Sequence, residues 1–145
     1  MVKNVIINIF IYILLVGCES PLVCEDCYLD ISAPDLQMDS SGYYHMNFLE
    51  SYNQTFSTLE VQTGITGYNQ KVKWLSNKKI LIAGHWTDLV NNSSYTDGYD
   101  GKAYTVVGVW ENFVGDTVKV YSGYTDNCDI LHVDSLEIVI DYGEQ

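Results

Sequence analysis

A chain of 145 residues with 47% hydrophobic content is long enough for one domain with a sizeable core, even after a targeting segment is removed. Its seven basic residues, all lysine, face 19 acidic ones, a net charge of -12. A surface of that sign repels phosphate, which excludes nucleic acid and electrostatic docking on anionic lipid as functions. The chain opens with a single cation, Lys3, followed by the apolar run Val5 to Val16. That run is too short to span a bilayer and suits the h-region of a signal peptide.

The run ends in Leu15-Val16-Gly17-Cys18, a small-residue site closed by cysteine. It resembles the lipobox of bacterial lipoproteins. The resemblance implies that a diacylglyceryl group is attached to Cys18, that the chain is cut after Gly17, and that acylated Cys18 becomes the mature N-terminus. The protein is then held on the cell envelope by its lipid, with the outer membrane as the expected location. An ordinary secretory signal that contains a cysteine, or an uncleaved anchor, is the alternative. On this reading residues 1–17 are the signal peptide, 18–27 a lipidated tether and 28–145 the domain. The mature chain keeps six lysines against 19 acids, a charge of -13, so attachment must come from the acyl chains.

Cys24, Cys27 and Cys128 then lie in a compartment where disulfides persist, enough for one bridge and one remaining thiol. Cys24-x-x-Cys27 has the spacing of a redox motif, but that chemistry wants a helix N-terminus and no helical pattern follows. A structural zinc site would need a ligand beyond the cysteines, and His45, His85 and His132 fall in widely separated stretches. No metal site is expected among them.

From Tyr28 onward the hydrophobic period is two. Strands are expected over 28–33, 43–49 and 55–63, the last alternating Leu59 and Val61 with Glu60 and Gln62. Val72 to Leu75 and Ile80 to Ile82 flank Ser76-Asn77-Lys78-Lys79, which reads as a hairpin connection, and His85 to Val90 as one more short strand. Residues 91–101 (NNSSYTDGYDG) are nearly all turn formers and read as the longest loop. Strands resume over 102–110, 117–124 and 133–141, with breaks at Gly115-Asp116 and at Asp126 to Asp129. Seven to nine short strands rich in Val, Ile, Thr and Tyr point to an all-β antiparallel sandwich.

Val72-Lys73-Trp74, Gly115-Asp116-Thr117-Val118-Lys119-Val120 with Gly123-Tyr124-Thr125-Asp126, and Asp134 to Ile140 resemble the C, F and G strands of bacterial immunoglobulin-like and PKD-type domains. Thr96-Asp97 and Asp100-Gly101-Lys102-Ala103 are similar to the turn that enters a strand in invasin-type modules. The resemblance implies an immunoglobulin-like β-sandwich with Trp74 in its core. It also implies that the chain enters strand A at the pole where strand F turns into strand G. Cys27 would then sit near Cys128 and a bridge between them would staple the domain, with Cys24 as the alternative partner and a local Cys24 to Cys27 bridge as the rival.

No nucleophile with a base, no G-x-S-x-G and no H-E-x-x-H occurs, and the carboxylates are scattered among turns, so catalysis and cofactors are not expected. Asp97 and Asp100, with Asn91 and Asn92, are weak calcium candidates, as are Asp126, Asn127 and Asp129. None fits the spacing of an EF-hand, and such residues also serve turns. Twelve tyrosines and three tryptophans exceed four phenylalanines, as on half-wet surfaces. Trp86, Tyr95 and Tyr99 could stack on a sugar or pack on a protein. The expected function is a non-catalytic binding or structural module of the envelope. Glycan binding through loop aromatics is the alternative, and a hydrolase with an unrecognised site comes third.

Overall fold

The computed structural model describes residues 27–48, 53–67, 69–82, 85–87 and 92–143. The expected lipobox at Leu15 to Cys18, and Cys24, lie outside these residues. The strands are β1 (Leu29–Ser32), β2 (Gln37–Met38), β3 (Tyr44–Phe48), β4 (Gln54–Thr63), β5 (Lys71–Ser76), β6 (Ile80–Ile82), β7 (His85–Thr87), β8 (Asn92–Tyr95), β9 (Lys102–Trp110), β10 (Thr117–Thr125) and β11 (Leu131–Tyr142), with a 3-10 turn at Glu111–Phe113. They form a five-stranded sheet in the order β1-β4-β9-β6-β7 and a six-stranded sheet in the order β2-β3-β11-β10-β5-β8. This is an immunoglobulin-like sandwich: β5, β10 and β11 are neighbours, as the C, F and G resemblance implies. Among the described residues every pairing is antiparallel except β3 with β11, which run parallel with Met46 opposite Ile140.

Alternation explains the layers. In β5, Val72, Trp74 and Ser76 point inward while Lys71, Lys73 and Leu75 point out; in β10 the inward set is Val118, Val120, Ser122 and Tyr124. Leu59, Val61, Ile80, Ile82, Val107 and Val109 supply the facing side from the other sheet. Trp74 is fully buried, and its indole Nε1 donates to Ser94 Oγ at 2.8 Å, which satisfies its one polar atom.

Two expectations are corrected. Residues 76–79 are not a hairpin connection, because β5 and β6 belong to different sheets. Asn77 donates its N–H to Lys119 O and accepts from Lys119 N–H through Oδ1, so the crossing is tied to β10. Ile80 and Ile82 can then bury themselves against the opposite layer. Residues 91–101 are not all loop either, since β8 pairs with β5, Lys71 opposite Tyr95 and Trp74 opposite Asn92. An unpaired edge of β5 recruits this polar segment, a tertiary gain that outweighs its turn propensity.

Candidate functional site

At one pole of the sandwich the β10–β11 turn meets the start of the described chain. Tyr124, buried at the end of β10, donates its hydroxyl to Tyr28 O at 3.0 Å, and Asp134 Oδ2 accepts from Ile31 N–H at 3.0 Å. The start of the domain therefore meets the β10–β11 turn, as the resemblance implies.

The turn is organised by Asp126. Its Oδ1 accepts from the N–H groups of Cys128 (2.8 Å) and Ile130 (2.9 Å), and Oδ2 faces His132 Nε2 at 2.8 Å. The His132 ring beside it, then the Ile130 and Cys128 amides, hold the Asp126 carboxyl below its ordinary value. His132 stacks on Tyr124, its cross-strand partner, with centroids 4.9 Å apart and planes inclined 15°. Cys27, Asp126 and His132 each bring one donor atom to a common point, all within 4.8 Å of one another. Separation in sequence conceals this meeting: a hairpin that pairs Tyr124 with His132 places Asp126 beside that ring, and the entry of the chain at this pole adds Cys27. No disulfide joins Cys27 and Cys128, so the expected staple is not formed in this structure.

The remaining candidates are dispersed. Asp97 Oδ1 accepts from Tyr99 N–H and Asp100 Oδ1 from Lys102 N–H, each at hydrogen-bond distance, so both carboxylates shape the turn into β9. Among the described residues neither joins a group of three metal-ligating side chains. Tyr95 (60% exposed) ends edge strand β8 of the six-stranded sheet, Tyr99 (91% exposed) lies in the turn, and Trp86 sits in β7 of the other sheet; the Trp86 side chain is outside the described part. These three do not share one element.

Two surface features carried no sequence signal. On the outer face of the five-stranded sheet Phe56, Tyr104 and Val106 are exposed. Phe56 lies across Gly108, where a Cβ would stand 2.6 Å from its ring. On the other sheet His45 Nδ1 faces Asp141 Oδ2 at 2.6 Å, and Nε2 faces Asp39 Oδ2 at 3.2 Å. Asp141 first, and then Asp39, raise the imidazole above its ordinary 6.5. A raised histidine value stabilises the fold below the unfolded value and ceases to do so as pH rises through the folded one. Protein NMR should therefore show His45 titrating with a midpoint above 6.5 that falls in Asp141→Asn; a midpoint at or below 6.5 in the parent would show that the pair does not hold the proton.

No protein-family model matches the chain, and no curated protein matches it. Among solved structures it is similar to the ASH / PapD-like domain of human CEP192 (PapD-like domain 7), with 12% identity and a TM-score of 0.46 over 83% of this chain and 88% of that one.

Proposed function

We propose that this protein is a lipid-anchored lipoprotein of the cell envelope, expected at the outer membrane, whose sandwich is a non-catalytic binding or structural module with an envelope protein as partner. The observation that carries the reading is Leu15-Val16-Gly17-Cys18 closing an apolar run, nine residues before the domain begins. Nine residues reach at most about 30 Å, so the domain rides close to the bilayer. The chain enters beside the β10–β11 turn, where Tyr28, Ile130, Leu131 and Val133 are exposed, and apolar groups at that end support its facing the lipid. The exposed Phe56, Tyr104 and Val106 face supports protein contact, since aromatic and aliphatic groups of this kind sit in the cores of interfaces. Exposed Tyr95 and Tyr99 favour the second reading, glycan binding.

Mass spectrometry of the mature N-terminus should find an acylated Cys18, and Cys18→Ala should leave unprocessed precursor in the membrane or release protein to the soluble fraction. An unacylated N-terminus at any other residue would sink the anchor.

A further inference from the structure

We propose that Cys27, Asp126 and His132 form a binding site for one divalent transition-metal ion of the zinc type. The three residues lie 99 and 6 positions apart in sequence, and folding brings one sulfur, one carboxylate oxygen and one imidazole nitrogen within 4.8 Å of one another. Tetrahedral bonds of about 2.0 to 2.3 Å place ligand atoms about 3.3 to 3.8 Å apart, so an ion needs the Cys27 sulfur to move in by up to about an ångström and the Asp126 Oδ2 to His132 Nε2 pair, now 2.8 Å apart, to open by about half an ångström. The mixed sulfur, nitrogen and oxygen set selects zinc or cobalt over calcium and magnesium, which take oxygen.

The ligands are also held in advance. Asp126 is buried and its Oδ1 is fixed by two backbone N–H groups, which leaves Oδ2 directed at His132. His132 is held flat against Tyr124, itself pinned through its hydroxyl to Tyr28 O, the residue that follows Cys27. Outer-shell contacts of this kind orient metal ligands and fix their geometry. A thiolate and a carboxylate carry two negative charges, which a divalent ion neutralises, and three protein ligands leave one position for solvent.

A nucleophile relay built from the same residue types has a different shape. There the cysteine and the carboxylate lie on opposite nitrogens of the imidazole, which separates them by about 6 Å or more. Here sulfur and carboxylate are within 4.8 Å of each other as well as of the ring. The three converge on a point, as a metal requires.

The test uses the whole protein, purified in detergent under reducing conditions, stripped with a chelator and titrated with Co²⁺ alone. The expected result is one equivalent bound, with tetrahedral visible bands and a thiolate-to-cobalt charge-transfer band, all displaced by Zn²⁺. Zinc should also raise the Tm of the parent. Cys27→Ser should lose the charge-transfer band and His132→Gln the one-equivalent uptake, while Cys128→Ser keeps both. Metal-free melting curves confirm that each variant folds; if His132→Gln does not, Cys27→Ser, at the start of the domain, decides. Absence of the band in the reduced parent, or its survival in Cys27→Ser, overturns the site. Recovery of Cys27 in a disulfide with Cys128 from protein isolated without reductant overturns it too, because the bridge consumes the metal-binding sulfur.

Discussion

Replacing Trp74 by alanine is expected to destabilise the domain by about 3 to 5 kcal/mol, a large share of the total for a chain of this size. Trp74 is fully buried and stands opposite Ser122 of β10 on one side and Asn92 of β8 on the other. Truncation removes the largest fully buried side chain among the described residues, from the strand between β10 and edge strand β8, and deprives the Ser94 hydroxyl of the indole donor. Close-packed interiors collapse only partly around such a loss, so the cavity adds to the lost transfer free energy. The corresponding fall in Tm is about 10 to 20 °C. Trp74→Phe keeps most of the volume and should cost markedly less. Denaturant melts of Trp74→Ala and parent that nearly coincide would place the side chain at the surface and undo the strand C assignment.

Gly101→Ala should have an effect of similar size for a different reason. Gly101 has φ of 72°, in the left-handed region, and a Cβ there would stand 2.6 Å from Ile65 O and 2.9 Å from Thr63 O. Its carbonyl also accepts from Thr63 N–H and from Thr63 Oγ1, which ties the turn before β9 to the end of β4. A left-handed alanine costs about 1 to 2 kcal/mol, and forcing a methyl against fixed backbone adds about 1 to 3 more. Gly67→Ala is the control, because that glycine is also left-handed, with φ of 94°, but nothing stands within 4 Å of its missing Cβ. Chemical melts in which Gly101→Ala costs no more than Gly67→Ala would show that the close approach is absent.

The strands of this protein were legible because they are made by local alternation. Leu59 and Val61 against Glu60 and Gln62, or Val118 and Val120 against Thr117 and Lys119, declare a two-faced strand whatever they pack on. Gly115 was legible for a related reason: a left-handed break shows in the residue itself. The short pieces were not. β2, with two exposed residues, has no pattern of its own and exists because β3 offers an edge. β8 is composed of turn formers and is a strand because β5 does the same for it.

The site divides along the same line. Cys27, Asp126 and His132 were each visible, but a ligand set depends on distances between atoms, and sequence separation carries almost no information about those. The turn chemistry of Asp126 was readable locally. Its meeting with Cys27 depended on the β10–β11 register and on Tyr124 reaching back to Tyr28. The same holds for Phe56, an ordinary strand residue until the pairing sets it over Gly108 and leaves its ring in solvent.

What the amino-acid order by itself determined is therefore the all-β class, the inward and outward faces of the long strands and the strongly acidic charge, all consequences of residue chemistry over a few positions. Only the tertiary structure decided that the chain crosses between sheets after Ser76, that the 92–95 segment becomes an edge strand, and that Cys27 converges with Asp126 and His132, because each of these depends on backbone edges and side chains brought together from distant parts of the chain.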